Sequence, residues 1–168
     1  MKCTNVATKV WEDCMNANLS ANSRLVLLNL YTSSRRNLFS VTLVHTKIIA
    51  CETELSVKQV EGAIKELEEK GLIVKGAFSM YWMPQARHTK YPEGNTYKTF
   101  FECSQECPDK ELLLKEASAN SHLLSKTATA ALVDTGIITL GESRFTEEEL
   151  EKARNRHPEK GKSLKKEE

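Results

Sequence analysis

The sequence predicts a mainly α fold with a small β-hairpin and a helical C-terminal extension. Three observations carry that expectation. Apolar residues recur at helical spacing through residues 20–31 and again from residue 46 onward. The stretch LSVKQVEGAIKELEEKGLIVKG, residues 55–76, has a polar cap, one apolar stripe and a glycine stop. Two short β-rich runs, at 72–74 and 78–83, flank Gly76-Ala77.

Residues 1–19 read either as a short helix, from the spacing of Val6, Val10 and Cys14, or as an extended lead-in. Ser20 is an N-cap, and ANSRLVLLNLY follows with Leu25, Leu28 and either Val26 or Leu27 inward. This is expected to be the most buried helix. TSSRRN breaks it as a solvated loop. LFSVTL is β-branched and apolar, so it reads as a strand. HTKIIACETEL reads as a short helix with Thr46 or Thr42 as cap and Ile48, Ile49 and Leu55 inward.

Ser56 and Gln59 then form a capping box. Val60, Ala63, Ile64 and Leu67 give the buried stripe, and Gly71 stands where a left-handed stop is wanted. Residues 72–74 are a strand, Gly76-Ala77 a tight turn and FSMYWM a second strand. Further on, PDKELLLKEASANSHLL is helical with Pro108 at or before its first turn. KTATAALVDTG continues toward Gly136, and IITL is a short strand or extended link. FTEEELEKARNR is a helix capped by Thr146, with Glu147, Glu148 and Glu149 at its start and Arg154 and Arg156 at its end, which suits the helix dipole. HPEKGKSLKKEE lacks apolar groups and is expected to be disordered.

Helix, strand, helix, turn, helix, hairpin is the order of a winged helix-turn-helix. The turn falls near residues 53–56, with Leu55 as its apolar plug. The expected organisation is a winged helix-turn-helix domain over 1–101, a helical extension over 102–157 and a disordered tail over 158–168.

The segments LSANSRLVLLNLYTSSRRN and VTLVHTKIIACETELSVKQVEGAIKELEEKGLIV carry a resemblance. Residues 11–83 resemble the winged-helix domain of phage replication initiator or replisome-organiser proteins, the DnaD-like group. The resemblance implies a non-catalytic DNA-binding protein of phage type acting in replication initiation, in the cytoplasm of a host cell. The ending Leu-x-x-Leu-Glu-x-x-Gly-Leu-Ile is shared with many winged-helix families, transcription regulators among them. The chain from about Asp109 onward does not resemble the partner domains of that family.

In a helix-turn-helix the start of the second helix of the motif meets base edges. Here that places Ser56, Lys58, Gln59 and Lys65 at the DNA, with Gly62 permitting close approach. Gln pairs adenine, and Lys reaches guanine or phosphate. Arg35, Arg36, Lys47, Arg87 and Lys90 are the candidate phosphate contacts. His88 and Lys98 lie among Tyr81, Trp82, Tyr91 and Tyr97, whose rings either stack on unpaired bases or pack the wing on the core. Against DNA stand Glu61, Glu66, Glu68 and Glu69, which also suit a solvated face of i,i+4 pairs such as Glu61–Lys65 and Glu66–Lys70.

The 168 residues, 40% of them apolar, suffice for a buried core, and the net charge of +1 gives no global nucleic-acid signature. Residues 1–100 carry +4 and residues 101–168 carry −3. The chain is expected to bind DNA, duplex or single-stranded. The alternatives are a protein-interaction module that forms a homo-oligomer or binds a host protein, or a transcription regulator, and no membrane is expected. No phosphate-cradling loop, zinc-protease helix or nucleophile elbow is present, so no enzyme and no cofactor is expected. Five cysteines and no secretory apolar run at the start suit a reducing compartment. Cys103 and Cys107 form one C-x3-C pair, with His88 and His122 as further candidate ligands. Free thiols rather than a metal site are expected.

Overall fold

A computed structural model describes residue 12 and residues 15–84 and 96–155. The fold is mainly helical with a small three-stranded antiparallel sheet. In chain order the elements are α1 (Ala21–Thr32), β1 (Val41–Leu43), α2 (Thr46–Thr53), α3 (Val57–Glu69), β2 (Val74–Lys75), β3 (Met80–Trp82), α4 (Tyr97–Glu106), α5 (Lys110–Ala119), α6 (Lys126–Asp134) and α7 (Glu147–Arg154). The strand order is β1-β3-β2, with Val41 opposite Trp82 and Lys75 opposite Tyr81.

The sheet is covered on both faces. Successive side chains of a strand point to opposite sides. Tyr81 and Met83 enter one core with Val26, Leu30, Ile49, Val60 and Leu67 of α1–α3. Met80 and Trp82 enter a second with Phe100, Leu112, Leu113 and Leu132 of α4–α6. Residues 97–155 are therefore a third layer on the sheet, and the expected boundary between residues 101 and 102 falls inside α4. That helix begins at the Thr96 cap and buries Phe100 and Ser104.

A hydrogen-bonded group inside the second core fixes its register. Trp82 Nε1 donates to Glu116 Oε2 at 2.5 Å, and Asn120 Nδ2 donates to the same oxygen at 2.9 Å. Glu116 is fully buried. A buried carboxylate is tolerated only where donors replace its water. Its position therefore dictates how α5 sits on β3.

Several local expectations shift. In α1 the buried residues are Ser23, Val26, Leu27, Leu30 and Tyr31, while Leu25 is 42% exposed. The helix is turned because Ser23 Oγ bonds inward to Glu66 Oε2 at 2.7 Å. The cap of α2 is His45, whose Nδ1 accepts from Lys47 N, and not Thr46 or Thr42. Thr42 lies buried in the sheet and donates to Leu30 O. Ile48 faces out at 38% exposure, while Ile49 is buried.

The capping box of α3 forms as the sequence predicts. Its end is a Schellman stop: Leu72 N donates to Leu67 O and Gly71 N to Glu68 O, with Gly71 at φ +69°. Leu72 is spent on this stop, so β2 is only Val74–Lys75. The hairpin turn is not centred on Gly76-Ala77. Met80 N donates to Ala77 O, and the central residues are Phe78 at φ +55° and Ser79 at φ +58°. Gly76 is instead needed for close approach. A Cβ there would overlap the Asp109 carboxylate and stand 2.5 Å from Leu112 Cδ1.

In the C-terminal layer, α5 is capped by Asp109 and α6 by Ser125, with a second glycine stop at Gly136. Ile137 and Ile138 are buried without forming a strand, and a 3-10 turn follows at Leu140–Glu142. Thr146 and Glu149 form the capping box of α7. Arg154 donates to Asp134 on α6 and to Glu147 and Glu151 on its own helix. Tyr97 also donates to Asp134. Burial and that carboxylate push the Tyr97 hydroxyl up to about 12. Arg156, the tail over 158–168 and residues 1–11, 13 and 14 of the open stretch 1–19 lie outside the described residues, while Glu12, Met15 and Asn16 of that stretch are helical.

Two substitutions test this packing. Leu67→Ala removes a fully buried side chain and is expected to cost about 2–5 kcal/mol in urea unfolding. Gly76→Ala must push the hairpin off α5 and is expected to cost about 1–3 kcal/mol. An unchanged midpoint in either would remove that contact from the core.

Candidate functional site

One carboxylate braces α3 against α1 beside their apolar contact. Glu66 accepts from Ser20 N at 2.9 Å, Ser20 Oγ at 2.7 Å and Ser23 Oγ at 2.7 Å. It thus sits on the N-terminus of α1, where the helix dipole favours negative charge. The Ser20 bonds, then the Ser23 bond, hold its carboxyl below the usual carboxylate range. Glu66 is therefore first a bracing residue, and the attraction of Lys70 is the smallest of the effects that lower it. The expected Glu61–Lys65 pair is replaced by Lys65–Glu69 at 3.8 Å.

That brace turns the other face of α3 outward. Ser56, Val57, Lys58, Gln59, Glu61, Gly62 and Lys65 are exposed. Among the described residues an added Cβ at Gly62 would meet nothing within 4 Å. Gln59 is less available than its exposure suggests. Its Oε1 already accepts from Ser56 N at 2.9 Å and from Ser56 Oγ at 2.8 Å. A bidentate pair with adenine needs that oxygen, so it would open the capping box.

The flanking cations divide. Arg35 is paired with Glu52 at 2.8 Å, and Asn29 donates to the other Glu52 oxygen at 2.9 Å. These two bonds, Asn29 first, draw the Glu52 carboxyl down from its usual value. Arg36 is half-buried and bridges to Thr42 at the edge of the sheet. Lys47 is exposed at the start of α2. Neither Lys47 nor Lys58 is ion-paired among the described residues. Arg87 and Lys90, with His88 and Tyr91, lie outside the described residues.

A polar cleft of about 290 Å³ lies between α3 and the hairpin, lined by His45, Glu61, Lys65, Glu68, Lys75 and Tyr81. Burial, then Glu68 and Glu61, push the Tyr81 hydroxyl up. Lys75 was not among the expected site residues, although its alternation with Val74 beside the turn marks it as the outward position of β2. Of the expected stacking rings, Tyr81 and Trp82 are buried and Tyr97 is bonded to Asp134, so these three pack the fold. Lys98 pairs with Glu102.

A second cavity, about 300 Å³, lies in the C-terminal layer among Ser118, Ser121, Thr129, Glu142, Ser143 and Arg144. Arg144 there donates to His122 O and Leu124 O and lies over the Phe145 ring. Burial raises the thiol pKa of both Cys103 and Cys107. Among the described residues no three His, Cys, Asp or Glu side chains stand together as metal ligands, and no helix is long and apolar enough to cross a membrane. Comparison with family models, with curated proteins and with solved structures found no match.

The Glu66 brace has a pH signature. Its folded pKa is lowered, so its contribution is complete above the ordinary value of 4.5 and is lost as pH falls through the folded value. Glu66→Gln is expected to cost about 1–2 kcal/mol at neutral pH. The gap between wild type and variant in unfolding free energy should shrink in acid. A gap that does not change with pH would show that the charge contributes nothing.

Proposed function

We propose that the chain is a non-catalytic DNA-binding protein that uses residues 21–83 as a winged helix-turn-helix. Helix α3 lies in the major groove, and the hairpin is the wing. The element order and the strand order β1-β3-β2 support this reading. The resemblance to phage replication initiators extends it to replication initiation.

Gly62 is the observation that carries it. A glycine inside an exposed helix costs about 1 kcal/mol relative to alanine. Among the described residues nothing approaches its open side. A surface that must come close to something outside the chain is the physical reason for such a residue. Lys58 leads toward base edges, Gln59 offers its amide N–H2 alone, Lys47 faces phosphates, and Lys65 does so only by leaving Glu69. Arg35 reaches a phosphate only by leaving Glu52.

The charge balance of the cleft favours a second reading. Glu61 and Glu68 face Lys65 and Lys75 there, which suits a protein segment of mixed charge better than a phosphate backbone. In that reading the scaffold holds a host protein or a second copy of the chain.

Mobility-shift titration against random duplex, single strand and the DNA flanking its own gene, at two salt concentrations, separates the two. Lys58→Ala is expected to weaken the preferred site by about 1–3 kcal/mol. Lys47→Ala should weaken all sequences alike and lower the salt slope by about one. Gly62→Ala should raise the unfolding midpoint while weakening DNA binding. Absence of wild-type binding at low salt would end the DNA reading and leave the interaction module.

A further inference from the structure

The hairpin turn breaks the usual turn chemistry. Two central residues at positive φ are the mark of a type I′ turn, whose positions are filled by Asn and Gly because a side chain there is strained. This turn has Phe78 at φ +55° and Ser79 at φ +58°. A bulky ring is among the least suited groups to that backbone. Burial does not compensate for it, because Phe78 is 70% exposed.

The strained tip is also braced. Ala77 N donates to Asp109 Oδ2 at 2.7 Å, Val44 N donates to Ser79 O at 3.1 Å, and Gly76 is seated against Leu112. The ring is thus presented from a fixed backbone. Strain that the surroundings hold in place, around a side chain left exposed among the described residues, points to a use outside the fold.

The size and setting of the ring indicate what it meets. It matches the face of a single base. Ser79 beside it lines the charge-balanced cleft with Lys65 and Lys75. Phosphate attraction is therefore weak at this point, whereas stacking on a base needs no net charge. The tip also adjoins the start of α2, where Lys47 is exposed, and so continues the proposed DNA face.

We propose that Phe78 is a base-stacking residue: its ring packs on a DNA base exposed in single strand or at an opened step of a duplex. The proposal rests on the DNA-binding reading above. Phe78→Gly removes the ring and suits the backbone. Phe78→Trp keeps an aromatic face and reports on it by fluorescence.

The test is fluorescence anisotropy with three labelled probes of about 20 nucleotides, longer than the site of one small domain. They are a mixed-sequence single strand, its full duplex, and the same duplex with a central mismatched bubble. Phe78→Gly is expected to bind about ten-fold more weakly, with an unfolding midpoint equal to or above wild type. Phe78→Trp should retain affinity, and its emission should be quenched on binding relative to the wild-type titration. Loss confined to the single strand identifies an unpaired base as the ligand. Loss on bubble or duplex identifies an opened step. If wild type binds DNA but Phe78→Gly binds all three probes equally well, the proposal falls and the DNA reading stands. An unquenched Phe78→Trp overturns it too, as does a Phe78→Gly that unfolds. If wild type binds none of the probes, both readings fall.

Discussion

The hydrogen bond from Trp82 to the buried Glu116 is the interaction on which the rest of the architecture depends. Trp82 is on the middle strand, so both outer strands take their register from it. Glu116 is on α5, and a carboxylate removed from water must stay with its donors. The pair therefore locks the third layer onto the sheet. From α5 the constraint runs to Asp109, which holds Ala77, and so to the turn that carries Phe78. Helices distant in sequence from α3 thereby set the side of the cleft that faces it.

The other side of the cleft is set by Glu66. Its bonds to Ser20 and Ser23 fix the rotation of α1 and the position of α3 together. The stripe Val60, Ala63, Ile64 and Leu67 then supplies the apolar stabilisation that one brace cannot. The outward face of α3 is what remains after these demands are met. Its polar character is partly used up: Gln59 caps the helix and Lys65 pairs with Glu69. Among the described residues Lys58 has no ion-pair partner and Gly62 has no neighbour on its open side.

The parts of this architecture legible in the sequence are those fixed by local chemistry. The Ser56–Gln59 box, the stripe of α3, the Gly71 stop and the Thr146 cap each depend on residues within one or two turns, so spacing reveals them. The parts that were not legible depend on partners far away in the chain. The rotation of α1 follows from Ser23 meeting Glu66. The short β2 follows from Leu72 closing the Schellman stop. The seat of Gly76 follows from Asp109, and no pattern within residues 72–83 announces it. The two-faced sheet was half-visible: MYWM has no polar alternation, as a strand buried on both sides should. Among the site residues, exposure was legible and availability was not. Arg35 and Gln59 are at the surface yet already bonded, and Phe78 stood in a stretch read as a strand.

The sheet needs both helical layers. Without residues 97–155 the chain would expose Phe39, Val41, Met80 and Trp82, all now buried. The direct measurement is urea unfolding, followed by circular dichroism, of a chain ending at residue 96 beside the full chain. The expected result is a single cooperative transition for the full chain and none for the shortened one. A cooperative transition of similar midpoint in the shortened chain would contradict the shared-sheet account.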